Sequence, residues 1–354
     1  MGNIATVDKN FAVKSSLQKE DVKFYNVLQC PFRLYGIFYE NGRFRRLPEK
    51  IAKEVSEGVF SLHTNTAGGR VRFQTNSPYV AILTKMEAVG KMPHITLTGS
   101  AGFDLYVGGK CGEEYGGTFI PPYDMEHGFE GVIEFGSKTK RTVTIYFPLY
   151  SNVKELYVGI SEQAFLKEAA PYKKEKPIVY YGSSITQGGC ASRPGNTYQS
   201  MIARRLDCDY INLGFSGNAK GEKKMADYIK SLDMSVFVYD YDHNAPTARH
   251  LYYTHEHMFC EIRREKPKLP VVILSRPKFF LEDYEKERLQ IIQKTYKHAI
   301  SNGDRNVYFI PGNKLMRLAK YDGTVDNTHP NDLGFASMAQ VLGDLLENIM
   351  EAEI

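Results

Sequence analysis

The stretch PIVYYGSSITQGG, residues 177–189, decides the fold. A short run of β-branched and aromatic residues stops at a glycine and passes into a turn of small residues, the pattern of a strand delivering the chain to a helix. Downstream the same event recurs. The strand-like runs DYINLGFS, SVFVYDYD, PVVILSRP and NVYFIPG alternate with the amphipathic stretches NTYQSMIARRLD, KKMADYIKSL and DYEKERLQIIQKTYKHAI. This alternation predicts βα units around a parallel sheet. Upstream, to about residue 160, Gly, Pro and Asn punctuate the short pieces RVRFQT, YVAILTKME, HITLTG, FDLYVGG, GVIEFG, RTVTIYFP and LYVGIS. Such pieces predict an antiparallel sandwich or jelly roll without long helices. The proline-bounded segment PYKKEKP (171–177) marks the boundary between a β domain at 1–172 and an α/β domain at 173–354.

Two domains suit 354 residues, since a typical domain takes roughly 150. With 45 Lys+Arg against 41 Asp+Glu the net charge is +4, too weak a field at this length to point to nucleic acid. No apolar run approaches the roughly 20 residues of a membrane span. The N-terminus lacks a secretory h-region, so the chain as given reads as cytoplasmic; Gly2 and Thr6 fit the myristoylation pattern only formally. The cysteines Cys30, Cys111, Cys190, Cys208 and Cys260 are odd in number and never in CxxC spacing, which suits free thiols and no zinc.

In an open parallel sheet the ligand site lies beyond the carboxyl ends of the strands. Four such places carry chemistry. Ser184 stands at the corner after IVYYG, where a hydroxyl can be held clear of the fold and the next amides can face an oxyanion; the surroundings fail both G-x-S-x-G and the Walker pattern. Near the C-terminus, Asp326 and His329 stand three apart before a helix expected from about Asp332 to Met350. A serine needs a general base, and a histidine base needs a carboxylate to fix its tautomer. Gly217, after DYINLGFS, and Asn244, after SVFVYDYD, can supply a backbone and an amide donor to one oxygen, together with the Ser184 amide.

Taken jointly, GSSIT, NLGFSGN, DHN and DxxHP in this order resemble the SGNH (GDSL-like) hydrolases over about residues 177–350. The resemblance implies a flavodoxin-like α/β/α domain. It further implies Ser184 as nucleophile, Asp326 and His329 as its partners, and Ser184, Gly217 and Asn244 as the oxyanion hole. The first half resembles the β domain named for a G-x-D-L-Y signature, here Gly102-Phe103-Asp104-Leu105-Tyr106. Two departures stand out. Ser183 replaces the usual Asp before the nucleophile, and Asp242-His243-Asn244-Ala245 replaces G-x-N-D.

The expectation is a serine esterase acting on small acyl esters, acetyl by analogy and on carbohydrate, with no cofactor and no metal. Arg193, Arg276 and His243 sit where a ligand's polar groups could be met. Its partner would be a small-molecule or oligosaccharide ester, not nucleic acid and not membrane; homo-oligomerisation stays open. The competing readings are a broader lipase, acylhydrolase or thioesterase, and a non-catalytic carbohydrate-binding protein. A metallohydrolase built on His250, His255 and His257 is disfavoured because their spacing does not bring three ligands to one helical face, which leaves a wet helix surface. Glycoside cleavage by Glu113, Glu114, Asp124, Glu126 or Glu130 lacks any fixed carboxylate separation.

Overall fold

The computed structural model describes residues 17–109 and 112–351, so Gly2, Thr6 and Cys111 lie outside the described residues. The first half holds two large antiparallel sheets and a small hairpin of Phe38–Glu40 with Arg43–Arg45. One orders the strands Val22–Asn26, Val153–Ser161, Tyr79–Met86 and Glu130–Glu134. The other orders Leu166–Lys167, Arg70–Thr75, Arg141–Tyr146, Phe103–Gly109 and Gly112–Phe119, with Arg33–Tyr35 paired to Arg70–Thr75. Strand side chains alternate in direction, so Val71, Phe73, Leu105, Val143 and Ile145 of one sheet meet Val80, Ile82, Leu156, Val158 and Ile160 of the other in a single core. Each such side chain, fully buried, contributes on the order of 1.5–3 kcal/mol.

Short helices form at Glu49–Val55 and Glu57–Leu62, in keeping with the absence of long ones. One local expectation fails here. HITLTG is not a strand: the Thr96 hydroxyl accepts from Gly99 N at 3.2 Å and caps the helical turn Leu97–Ser100.

The second half is a five-stranded parallel sheet. Its strands are β1 (Lys174–Gly182), β2 (Cys208–Gly214), β3 (Val236–Asp240), β4 (Val271–Leu274) and β5 (Val307–Ile310), in the order β2-β1-β3-β4-β5. All pairings are parallel, with Gly182 level with Gly214 on one side and Asp240 on the other. Its helices include α1 (Ser184–Gln187), α2 (Tyr198–Leu206), α3 (Lys223–Ser231), α4 (Ala248–Glu265), α5 (Asp283–Ser301) and α6 (Asp332–Glu351). Ile178 and Tyr180 of β1 point to the layer of α2 and α6, while Val179 and Tyr181 point to that of α3, α4 and α5. The sequence order reverses direction across β1 and β3, and that switch point is where such sheets bind ligands.

The α4 histidines correct the picture of a wet face. His255 is fully buried, stacked on Tyr239 at 4.5 Å and hydrogen-bonded through Nδ1 to Thr295 at 2.8 Å, and burial pushes its imidazole down to about 3. His250 Nε2 meets the Lys220 carbonyl at 2.8 Å. No described helix is long and apolar enough to cross a membrane.

Buried arginines from the β half fasten the halves together. The Arg46 guanidinium donates to the carbonyls of Gly214 at 2.7 Å, Asn212 at 3.2 Å and Asn65 at 2.5 Å. Arg70 pairs with Asp209, donates to the Tyr210 carbonyl at 3.1 Å and stacks on the Tyr210 ring at 3.8 Å. A guanidinium with five donors suits such a joint, because it can satisfy several buried acceptors at once.

Candidate active site

Ser184 begins α1 directly after β1. The turn is tight: a side chain on Gly182 would collide with the Asp240 carbonyl at 2.4 Å, and one on Gly214 with the Gln187 amide at 2.1 Å. Glycines at these two level positions let α1 settle onto the strand ends. Ser183 takes the N-cap, its hydroxyl accepting from Ile185 N at 3.2 Å. Within α1, Thr186 donates to Asp240 Oδ2 at 2.8 Å, and burial pushes the Asp240 carboxyl up to about 7. Gln187 donates to Asn65 Oδ1 and the Leu149 carbonyl, both at 3.1 Å, and accepts from Ser216 N at 3.0 Å. One side chain thus links the β half, α1 and the approach to Gly217.

The histidine arrives from the other end of the chain. Ser184 Oγ lies 2.9 Å from His329 Nε2, a contact between residues 145 apart in sequence. His329 Nδ1 lies 2.8 Å from Asp326 Oδ2. Asp326 Oδ1 also accepts from the backbone N–H groups of His329 at 2.8 Å and Thr328 at 3.1 Å. Partial burial alone would raise the Asp326 carboxyl, but these bonds and the facing imidazole outweigh it and hold it below the usual carboxylate range. The ionised carboxylate keeps the proton on Nδ1, leaving the Nε2 lone pair toward the serine. Ser184 is 8% exposed and the His329 side chain 21%, so the pair is sheltered yet reachable.

Gly217 adopts φ +69°, a left-handed turn that favours glycine, and a side chain added there would meet nothing within 4 Å. Asn244 Oδ1 accepts from Ala219 N at 3.4 Å, joining the loops after β2 and β3. Among the described residues, the amides of Ser184 and Gly217 and the Asn244 Nδ2 have no acceptor. Arg288 clamps the Asn244 loop by donating to Asp242 Oδ1 at 2.8 Å and the Ala245 carbonyl at 3.1 Å. These contacts use the Asp242 that stands where the related pattern has glycine.

Of the three residues expected to meet a ligand, the two arginines are engaged with protein groups and the histidine has its Nε2 buried. Arg193 Nη1 donates to Asp104 Oδ2 at 3.0 Å and Tyr106 OH at 2.6 Å, in the joint between the halves. Arg276 Nη1 is 2.6 Å from Glu285 Oε1. His243 Nε2 is buried without a partner, and burial, reinforced by Arg276 and His329, pushes its imidazole well below the ordinary range.

The G-x-D-L-Y aspartate has a place that sequence reasoning missed. Asp104, fully buried, accepts from Gly195 N at 2.8 Å and Thr118 Oγ1 at 2.7 Å as well as from Arg193, and so ties the loop after Ser184 to the β half. Burial raises its carboxyl despite these donors. Tyr150, also from the β half, donates to the Ser184 carbonyl at 3.3 Å.

Residues 175–347 match the GDSL-like lipase/acylhydrolase family, and residues 22–166 match the GxDLY domain, the N-terminus of SGNH-hydrolase-type esterases. Among solved structures, a Bacteroides ovatus protein described as a GDSL-like lipase shares 28% identity over 93% of this chain and 98% of its own, with a TM-score of 0.84. A salicylyl-acyltransferase from a tetracycline biosynthetic pathway shares the fold at 19% identity, 94% and 98% coverage and a TM-score of 0.75. So does a family two carbohydrate esterase from Cellvibrio japonicus, at 13% identity, 93% and 98% coverage and a TM-score of 0.60. No curated protein matches the sequence significantly.

Proposed function

Because the chain belongs to the GDSL-like lipase/acylhydrolase family, with the N-terminal domain of SGNH-type esterases in front, we propose that it hydrolyses small acyl esters, acetyl esters of carbohydrates above all, through an acyl-serine intermediate. The observation that carries this reading is the Ser184–His329–Asp326 relay, with Oγ to Nε2 at 2.9 Å and Nδ1 to the carboxylate at 2.8 Å.

In the first step His329 Nε2 takes the Ser184 proton as Oγ attacks the ester carbonyl. The oxyanion that forms is met by the unengaged amides of Ser184 and Gly217 and by Asn244 Nδ2. His329 then gives its proton to the departing alcohol oxygen, leaving the acyl group on Ser184. Water attacks that acyl-serine with His329 again as base; the carboxylic acid leaves and the serine regains its proton. Asp326 stays ionised throughout and stabilises the imidazolium.

The alcohol side of the substrate is read from the surface beside the histidine turn. A depression of about 200 Å³ is lined by Phe279, Phe280, Tyr321, Lys278, Thr324 and Asn327, the last adjacent to Asp326. Phe280 and Tyr321 are 65% and 70% exposed, and Phe279 packs edge-on against Tyr321. Open aromatic faces next to polar groups suit the alternating apolar and hydroxyl faces of a sugar ring, and they supply what a chain without tryptophan would otherwise lack.

The test is acetate release from a panel of acetylated mono- and oligosaccharides, set against aryl esters of rising acyl length. The reading expects acetyl to be preferred to longer acyl groups, and an acetylated sugar to surpass the aryl acetate in kcat/KM. A preference for long acyl chains, or no turnover of any acetylated sugar, would contradict it.

A further inference from the structure

We propose that His94, Cys190 and His329 form a binding site for a soft divalent cation of the Zn²⁺ type, and that filling it switches the esterase off. The three residues come from the β half, from the loop behind the nucleophile and from the histidine turn. Each offers one donor atom, and the three atoms lie within 4.8 Å of one another. The His94 and His329 rings approach to 5.5 Å between centroids. Among the described residues no other group of His, Cys, Asp and Glu gathers in this way.

The donor set selects the ion. Two imidazoles and a thiolate are soft to borderline ligands that suit Zn²⁺, whereas Mg²⁺ and Ca²⁺ require oxygen. With Zn–N of about 2.0–2.1 Å and Zn–S of about 2.3 Å, a tetrahedral site places its donors about 3.3–3.8 Å apart. The cluster therefore closes by at most about 1.5 Å to take the ion. His94 is the exposed member and can swing inward, while Cys190 is buried in the left-handed conformation at φ +71° and supplies a fixed point. Three protein ligands leave the fourth position to water.

Inhibition follows from where the lone pair is. Asp326 holds the proton on His329 Nδ1, so the nitrogen open to a metal is Nε2, the atom 2.9 Å from Ser184 Oγ. A cation that binds there takes the electron pair needed for the serine proton, and Cys190 releases its own proton to solvent as the Zn–S bond forms. Neither His94 nor Cys190 has a step in acyl transfer, so both can be replaced without touching that chemistry. Binding stands apart from the proposed function, while inhibition rests on it through His329 as the base.

The experiment titrates the full chain with Co²⁺, following the thiolate-to-cobalt absorption band, and in parallel titrates aryl acetate hydrolysis with Zn²⁺, using Mg²⁺ as the control. The expected result is a band saturating at one ion per chain and absent in Cys190→Ser. Zn²⁺ should inhibit, a chelator should restore activity, and Mg²⁺ should do nothing. In His94→Ala and Cys190→Ser, uninhibited turnover should persist and the half-inhibiting Zn²⁺ concentration should rise about tenfold or more. The absence of a thiolate band in the unsubstituted chain, or equal Zn²⁺ sensitivity in all three proteins, would overturn the site. A band in a protein that hydrolyses no ester would leave the site standing and remove only the switch.

Discussion

The two arms of the site are held in opposite ways. The serine arm is held at long range: Gln187 reaches Asn65 and Leu149, Thr186 reaches Asp240, and the following loop is anchored on Asp104 through Gly195 and Arg193. The histidine arm is held mainly by its own turn, with one tie to the loop after Ser184 through Asp332, which accepts from Ser192 N at 2.9 Å and Asn196 Nδ2 at 2.8 Å. Asp326 accepts from the backbone and ring of His329, Val325 N donates to the His329 carbonyl at 2.9 Å, Thr324 bridges Pro330, and Asn331 donates to the Asp322 carbonyl at 2.7 Å. The β half is thus part of the support of Ser184, whereas His329 is placed mostly by its own turn and by α6, whose Asp332 reaches across to Ser192 and Asn196.

Ser184→Ala should remove nearly all hydrolysis of an aryl acetate while thermal unfolding stays unchanged; retained turnover would end the assignment. Asp326→Asn should lower kcat by about 10⁴-fold by leaving the imidazole in the wrong tautomer, again with little change in stability, because the turn keeps its shape. Asn244→Ala should cost about 10²- to 10³-fold in kcat with KM nearly constant, as loss of a donor that acts only on the oxyanion requires.

The fourth substitution separates the arms directly. Asp104→Ala lies outside the reacting groups but leaves Arg193 and the Gly195 amide without their acceptor. Breaking a buried pair of this kind costs about 3–5 kcal/mol. Urea unfolding should therefore show a large loss of stability. Where the protein still folds, the loss of activity should be milder than for Asp326→Asn and shared between kcat and KM. Were Asp104→Ala as stable as the parent, the β half would not support the serine arm.

A smaller effect serves as a reference outside both arms. His255 is held neutral with its imidazole pushed down to about 3, against an ordinary value of 6.5. The unfolded chain takes up this proton when the folded one does not. Its stabilising contribution is therefore present above about pH 6.5 and is lost as the pH falls from there toward about 3. Urea midpoints measured between pH 8 and pH 4 should drop on acidification, and less steeply in His255→Phe.

The same contrast explains what the sequence made legible. D-x-x-H could be read because its geometry is local, and the parallel strands because their apolar runs are contiguous. The support of the serine arm could not. Nothing in a one-dimensional pattern pairs Gln187 with Asn65 or Arg193 with Asp104, so the arginine looked free for a ligand until the fold gave it a carboxylate. Arg276 was opaque for the same reason, its partner Glu285 lying on α5. His255 looked wet because its burial depends on Tyr239 of β3 rather than on neighbours along α4. The turn at Leu97–Ser100 was missed because β-branched residues in HITLTG outweighed the capping role of Thr96.

If Ser184 becomes acylated because His329 removes its proton, a serine-directed fluorophosphonate should label it, which peptide mass mapping will locate. One adduct per chain is expected, on Ser184, formed far more slowly in Asp326→Asn and absent in Ser184→Ala. An adduct on another residue, or an unlabelled Ser184 in a chain that still turns over ester, would contradict it.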